Sequence, residues 1–232
     1  MIAFSGWGEL MDLTLIWIAL LFALMSWIAV ARGWKVVEYV AKPAVMVCLI
    51  AWLGVNGGWS GALLWFSAGL VFSLAGDVFL MLPEQRFIAG LVAFLLAQVA
   101  YVIGLNTTPL PMTVVTIIIL VIVGLVSTRI FLRISQGLVA TGNSKLRVPV
   151  LVYSIVISLM LFSALLAFVR PSWSPGAALL VGLGAVLFFL SDSLLAWNKF
   201  VNPLKNGGLV VIITYHIGQV LITLGAALNF LP

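Results

Sequence analysis

The chain consists of long runs of apolar residues separated by short polar segments, and this alternation continues along its whole length. A helix of about 20 apolar residues spans the hydrocarbon layer of a membrane. Because the runs have this length, we predict an all-α polytopic membrane protein, a bundle of eight transmembrane helices. The predicted helices lie near residues 12–31, 36–55, 61–82, 87–105, 110–131, 148–169, 176–197 and 208–230.

Most of the polar segments are short and rich in the residues that favour turns, such as "NGGWS" at 56–60 and "RPSWSPG" at 170–176. The exception is "LRISQGLVATGNSKLR" at 132–147, the one substantial loop that the pattern predicts. We therefore predict a single integral-membrane domain over residues 1–232, with 132–147 as its longest loop. No segment is long enough to form a separate domain outside the membrane.

Composition excludes a water-soluble protein. Of the 232 residues, 64% are hydrophobic and 7% are charged, and the mean hydropathy is +1.30. Soluble domains carry about 25% charged residues. The single cysteine, Cys48, lies inside the second predicted helix, so we expect neither a disulfide framework nor a cysteine-rich metal site, and we interpret Cys48 as a packing residue.

Basic residues indicate how the bundle is oriented. Along eight alternating spans, all lysines and arginines but Arg170 fall on one side. Since basic residues in short loops mark the cytoplasmic side, we expect both termini outside and the 132–147 loop in the cytoplasm. The net charge of +5 then reflects topology, and no nucleic-acid partner is expected. The compactness of the chain favours a bacterial source and the bacterial cytoplasmic (inner) membrane.

Two aspartates stand inside otherwise apolar helices. Asp77 and Asp192 each precede the inner end of a predicted helix by about five residues, which places them roughly 8 Å below the inner boundary. An aspartate at a helix centre costs about 2.5–3.5 kcal/mol on insertion scales, so such residues face the bundle interior and are functional by default. Further polar residues share the cytoplasmic half or lie near the midplane: Lys42, Gln98, Tyr101, Tyr153, Tyr215, His216 and Gln219.

A weak internal repeat relates the two halves of the chain. An aspartate, a short basic loop and then a tyrosine and a glutamine occur across the third and fourth helices and again across the seventh and eighth. Because each unit has an even number of helices, the second unit starts on the same side of the membrane as the first. The repeat therefore predicts two parallel four-helix units. This arrangement would bring Asp77 and Asp192 to equivalent depths on opposite sides of a central cavity.

The two aspartates have a structural and a catalytic interpretation. Either could join helices by hydrogen bonds, Asp77 with Ser73 and Asp192 with Ser191 or Ser193. Alternatively they form a pair, because two neighbouring carboxylates in a low-dielectric site cannot both ionise cheaply. One then retains its proton and acts as an acid, and the other acts as a base toward water. The matched depth and the surrounding polar residues favour the catalytic interpretation.

Lys42 and His216 also have two interpretations each. Lys42 could extend to the interface beside Glu38, its i,i+4 partner, or it could meet a substrate phosphate. His216 could be a hydrogen-bonded core residue or could bind a metal together with Asp77 and Asp192. The chain has no second histidine and no HExxH spacing, so we expect no metal.

Several segments resemble one known family. "KPAVM" at 42–46, "SLAGDVFLML" at 73–82, "FIAGLVAFLLAQVAYVIGL" at 87–105, "GAVLFFLSDSLLAWNKF" at 184–200 and "YHIGQVLITLG" at 215–225 resemble the YhhN family of membrane lysoplasmalogenases, in the same order along the chain. At position 98 the family usually has a histidine, so we expect Gln98 to act by hydrogen bonding. In the eighth helix, the family's small residue before the glutamine is Gly218 here.

The resemblance implies hydrolysis of the vinyl ether bond of a lysoplasmalogen, lysoplasmenylethanolamine or lysoplasmenylcholine, to a fatty aldehyde and a glycerophospho-base. It implies no cofactor, and its partners are the lysophospholipid substrate and membrane lipids. Asp77 and Asp192 are the expected catalytic residues. The expected substrate-binding residues are Lys42, Gln98, Tyr101, Tyr153, Ser191, Asn198, Tyr215, His216 and Gln219.

A proton-coupled membrane transporter using Asp77 and Asp192 is the competing interpretation, because parallel repeats with buried acids also describe such carriers. Two features of the sequence favour the enzyme. The polar cluster is off-centre, and no helix is interrupted at matching positions of the two halves.

Overall fold

The structure is a computed structural model that describes residues 12–82 and 86–231. Over these residues the chain forms eight long helices and no strand, and each helix is long and apolar enough to cross a membrane. The predicted all-α class is therefore confirmed. The helices are α1 Thr14–Arg32, α2 Lys35–Val55, α3 Leu63–Met81, α4 Phe87–Leu105, α5 Val114–Ala140, α6 Arg147–Leu165, α7 Pro175–Phe200 and α8 Gly207–Phe230.

One helix differs clearly from the prediction. α5 extends to Ala140, so the predicted loop at 132–147 is helical over more than half of its length. The reason is a short amphipathic pattern: Ile134 and Leu138 stand one turn apart and are buried in a small cluster with Val150 and Phe200. The helix ends just before Gly142, whose φ of 73° lies in the left-handed region that favours glycine.

Three pairs of helices that follow each other in sequence pack closely as hairpins: α1 with α2, α3 with α4 and α7 with α8. We call the side that carries these three connections and the α5–α6 connection the inner side. The α7–α8 pair comes into backbone contact at two glycines. A Cβ added to Gly184 would lie 2.8 Å from the carbonyl oxygen of Gly218, so a larger residue there would push the helices apart.

On the outer side a buried arginine joins two hairpins. Arg170 follows α6 and donates through Nη1 to the carbonyl oxygen of Leu105, at the end of α4, and through Nη2 to Oδ1 of Asn106 at 2.5 Å. A cation at this position satisfies carbonyl groups that a helix end leaves unpaired and complements the helix dipole. The contact fixes the outer end of α4.

The helices differ in how much of their surface the bundle covers. The interior is built mainly from α2, α3, α4, α6, α7 and α8, and fully buried aromatic side chains such as Trp52, Phe66 and Phe188 fill it. α5 lies at the periphery and packs mainly on α6 and α7. Most of its apolar side chains are exposed, as expected for a helix that faces lipid.

Candidate functional site

Asp77, on α3, is the centre of a buried polar cluster to which several helices contribute. Its side chain is 1% exposed, and each of its oxygens has a partner on another helix. The ammonium of Lys42, on α2, lies 3.1 Å from Oδ1, and the hydroxyl of Tyr215, on α8, donates to Oδ2 at 2.8 Å. The negative charge of Asp77 therefore has a counter-ion within the bundle.

A second set of hydrogen bonds lies one helical turn further along α8. Gln219 accepts from the Tyr101 hydroxyl at Oε1, at 2.7 Å, and donates from Nε2 to the Ser73 hydroxyl oxygen at 2.9 Å. All three side chains are buried. Because Tyr101 belongs to α4 and Ser73 to α3, Gln219 joins three helices directly beside the Asp77 cluster.

Asp192, on α7, has a different environment. The hydroxyl of Tyr153, on α6, donates to its Oδ2. Within the described part of the chain, the ion pairs are Lys35–Glu38 and Lys42–Asp77, so Asp192 pairs with no cation there. Asp77 and Lys42 nonetheless lie close enough for their charges to act on Asp192. The two aspartates thus have unequal surroundings: Asp77 is paired with a cation, and Asp192 accepts from a tyrosine.

An apolar cavity of about 70 Å³ adjoins Asp192. We call it the inner cavity. Asp192 and Tyr153 line it and are the titratable side chains among its described lining residues. Asp77 is not among the lining residues. The rest of the wall is largely apolar and includes Leu80, Phe87, Phe94 and Phe189.

Gln98 is fully buried on α4 and close to this site. Its amide is near enough to Tyr153 to act on that hydroxyl. Neither its oxygen nor its nitrogen makes a hydrogen bond of ordinary geometry with any described residue. Since buried polar groups are nearly always satisfied, an amide in this state is suited to hold a small polar molecule such as water.

His216 faces α1 rather than the aspartates. Its Nδ1 accepts from the indole nitrogen of Trp27 at 3.2 Å, and the two rings are stacked with their centroids 6.5 Å apart. An accepting Nδ1 places the proton of a neutral ring on Nε2. Trp27 was not predicted as part of the site, because no spacing in the sequence connects α1 with α8.

Two other predicted substrate-binding residues lie in the contact between α7 and α8. The Ser191 hydroxyl donates to the carbonyl oxygen of Val211 at 2.9 Å, and Oδ1 of Asn198 accepts from the backbone nitrogen of Leu204 at 2.8 Å. Neither residue lines the inner cavity. The structure gives both a place in holding the hairpin together.

Of the two interpretations of Lys42, pairing with Glu38 is wrong: Glu38 pairs with Lys35 at 2.9 Å, and Lys42 turns inward to Asp77. Pro43 follows Lys42 within α2 and has no N–H to donate, so the helix lacks one backbone hydrogen bond at this point. Across residues 12–82 and 86–231, no three histidine, cysteine or acidic side chains are grouped as metal ligands would be.

Comparison with known proteins points to one family. The model of the YhhN family matches residues 37–226. The human lysoplasmalogenase TMEM86B is 32% identical over 187 residues, which are 81% of this chain and 74% of the human protein. Mouse TMEM86B is 31% identical over 206 residues, 88% of this chain and 81% of the mouse protein. A lysoplasmalogenase of Mycobacterium tuberculosis is 30% identical over 175 residues, 69% and 59% of the two chains. No solved structure matches.

Proposed function

The chain belongs to the YhhN family, and from this premise we propose that it is a lysoplasmalogenase, which hydrolyses the vinyl ether bond of lysoplasmenylethanolamine or lysoplasmenylcholine. The observation that carries the proposal is the placement of Asp192: its carboxyl group lines an apolar cavity inside the membrane domain, while the carboxyl group of Asp77 is held in a buried ion pair. A single-chain lipid offers an apolar tail to such a cavity and an acid-labile bond to the carboxyl group of Asp192.

The reaction needs one proton donor and one water molecule. Transfer of a proton to the vinyl carbon distant from the ether oxygen forms a C–H bond and leaves an oxocarbenium ion at the neighbouring carbon. Water adds to that carbon and gives up a proton to a carboxylate, which restores the acid. The resulting hemiacetal loses the glycerol oxygen as an alcohol and leaves a fatty aldehyde. Proton transfer by positioned side chains contributes typically 10²–10⁴-fold to such a step.

We assign the proton donor to Asp192. Of the two aspartates it alone lines the inner cavity, where an apolar substrate can reach it. It has no cation as a pairing partner among the described residues, whereas Asp77 has Lys42 at 3.1 Å. Tyr153 occupies Oδ2 of Asp192, so this hydrogen bond orients the carboxyl group and leaves Oδ1 to carry the proton.

Asp77 then serves as the fixed negative charge of the site. Lys42 and Tyr215 hold both of its oxygens, so the carboxylate cannot rotate away as the reaction proceeds. A preorganised charge close to the developing oxocarbenium ion stabilises it more effectively than solvent would. Gln98, with an unsatisfied amide beside Tyr153, is the residue suited to hold the attacking water.

The proposal includes an orientation. The distribution of lysines and arginines supports placing both termini outside and the site in the cytoplasmic half of the membrane. The inner ends of the helices would then meet the headgroup of a lipid from the cytoplasmic leaflet, with its tail directed toward the midplane.

The test is release of fatty aldehyde from lysoplasmenylethanolamine by purified protein in detergent, with ester-linked lysophosphatidylethanolamine as the control substrate. Detergent abolishes any gradient, so a transporter gives no product in this assay. Asp192→Asn and Asp77→Asn are each expected to abolish aldehyde release. Asp12→Asn is the matched control, because Asp12 is exposed at the outer start of α1. Full activity in Asp192→Asn would refute the assignment.

A further inference from the structure

A second groove continues the inner cavity toward the midplane of the membrane. Its described lining residues belong to α5 and α6, and its volume is about 310 Å³. We call it the seam groove. It shares Ser127, Ser154 and Ser158 with the inner cavity, so the two spaces meet at these three residues. Beyond them the groove is lined mainly by apolar side chains, among them Leu120, Val123 and Phe162.

The junction between the two spaces is closed by one contact between side chains. The Ser158 hydroxyl of α6 lies 2.7 Å from the Ser127 hydroxyl of α5, and it also donates to the carbonyl oxygen of Ser154 in its own helix. A hydroxyl that can bond within its own helix remains satisfied when its partner on the other helix moves away. This pair can therefore open without leaving Ser158 unpaired.

The seam groove is open toward the membrane. A Cβ added to Gly124, which lines the groove, would meet no atom within 4 Å. The neighbouring Leu125 is 63% exposed, and Ile122 is exposed as well, as expected for side chains that contact lipid. α5 therefore covers the groove from one side only and leaves room along its length.

Depth along α6 shows what such a groove can hold. Tyr153, at the inner cavity, and Phe162, in the seam groove, are nine positions apart, which is about 14 Å along a helix. The path runs from the acidic group toward the bilayer midplane, the direction in which the tail of a lipid from the inner side extends. Among its lining residues, the polar ones are concentrated at the Asp192 end and the junction.

We propose that the seam groove between α5 and α6 is the binding site for the distal part of a single alkyl chain, which enters sideways from the bilayer and separates Ser127 from Ser158. The inference rests on the proposed function, because it places the vinyl ether bond at Asp192 and the remainder of the chain beyond the junction. One groove accommodates one chain, so the site selects lipids that carry a single tail.

The experiment compares chain lengths in a variant that fills the groove. Gly124→Phe places a ring where the structure has open space, so the bundle need not rearrange. For a substrate with a hexadecenyl chain, we expect kcat/KM to fall at least about tenfold, the scale on which apolar pockets discriminate. An octenyl substrate, whose chain is half as long, is expected to react as in the wild type. Leu125→Phe, at the adjacent lipid-facing position, should leave both substrates unaffected.

Equal kcat/KM values for Gly124→Phe and wild type with the long chain would overturn the inference, and so would an equal loss with both chains. Labelling provides a readout that does not depend on turnover. A lysophospholipid with a diazirine at the end of its chain is expected to label peptides of α5 and α6, and less so in Gly124→Phe. Labelling of other helices alone would overturn the tail site, whereas absence of aldehyde release by the wild type would refute only the proposed function.

Discussion

Lys42 and Asp77 form an ion pair across α2 and α3, with Nζ and Oδ1 3.1 Å apart and the carboxylate almost completely shielded from solvent. A pair in this setting brings little net stability, because both ions lose their hydration. Its consequence is asymmetry. One aspartate of the site has a permanent counter-ion, and the other has a tyrosine and an apolar cavity. This difference supports distinct roles for two residues that sequence alone treats as equivalent.

Replacing Lys42 by methionine should strongly destabilise the protein. It leaves the Asp77 carboxylate buried without a counter-ion, a change that typically costs about 3–5 kcal/mol. Unfolding by denaturant in detergent measures the effect. The control is Lys35→Met, since Lys35 is exposed and pairs only with Glu38 at the surface, which is worth about 1 kcal/mol or less.

The double variant Lys42→Met/Asp77→Asn tests the ion pair itself. Removing both charges should restore much of the stability that Lys42→Met alone loses, because the two effects are coupled. If the two substitutions destabilise the protein additively, the loss of stability in Lys42→Met does not come from breaking the ion pair.

Tyr153→Phe should lower kcat with little change in KM. The hydroxyl donates to the Asp192 carboxyl group and orients it. Hydrogen bonds to charged groups are worth about 1.5–3 kcal/mol, which corresponds to roughly 10- to 150-fold in rate. Tyr39→Phe is the matched control, because Tyr39 is exposed on α2. A decrease in kcat of similar size in both variants would contradict the role of Tyr153.

The two glutamines should respond differently to replacement by leucine. Gln219→Leu leaves Tyr101 and Ser73 without their buried partner, so we expect losses of both stability and activity. Gln98→Leu removes an amide that has no hydrogen bond of ordinary geometry within the described chain, so stability should be retained. If Gln98 holds the attacking water, activity still falls. Thermal unfolding and aldehyde release, measured on both variants, separate these outcomes.

A disulfide across the junction should block long substrates reversibly. The hydroxyl oxygens of Ser127 and Ser158 are 2.7 Å apart, close to the sulfur separation of about 2.05 Å in a disulfide. We expect oxidised Ser127→Cys/Ser158→Cys protein to lose hydrolysis of the hexadecenyl substrate and to regain it on reduction. Thr108→Cys/Ser172→Cys joins two outer loops whose hydroxyls are 3.4 Å apart and serves as the control. Inhibition by the control disulfide alone would contradict passage through the seam groove.

Chelators should leave the reaction unchanged. The groups around Asp77 and Asp192 are carboxyl, hydroxyl, amide and ammonium groups, and the described residues contain no cluster of three metal-ligating side chains. Such a set suits proton transfer better than Zn²⁺, which prefers histidine and cysteine in three- or four-ligand sites. Aldehyde release after dialysis against EDTA, with and without added zinc, checks the expectation. Loss of activity that zinc restores would refute it.

Hydropathy predicted the helices well, because a length of about 20 apolar residues is a strong signal. It also predicted the inward faces: Gln98 and Tyr101, three positions apart, are both buried, as are Tyr215 and Gln219. The end of α5 was missed, because the polar residues Arg133 and Ser135 lower the average hydropathy around the buried Ile134 and Leu138.

Partners across helices could not be predicted in the same way. Nothing in periodicity indicates that α8 lies against α3, so the bond from Tyr215 to Asp77 could only be found in the structure. The same holds for Lys42. The sequence offered Glu38, four positions away, as a local partner, whereas the structure pairs Lys42 with Asp77 on another helix. Asn198 was predicted to bind substrate. In the structure its Oδ1 accepts from the backbone nitrogen of Leu204, so this polar residue near Asp192 stabilises the connection that follows α7.

The backbone contact of α7 and α8 at Gly184 and Gly218 has a dynamic consequence. Two helices locked at their main chains form a rigid frame, and that frame carries both Asp192 and Tyr215. α5 meets α6 at the junction through the Ser127–Ser158 hydrogen bond and is the wall that we expect to move when a tail enters. We therefore expect a lipid tail to enter and leave without changing the relative positions of Asp192 and Tyr215. The rate of tail exchange can then vary without affecting how precisely these side chains are aligned.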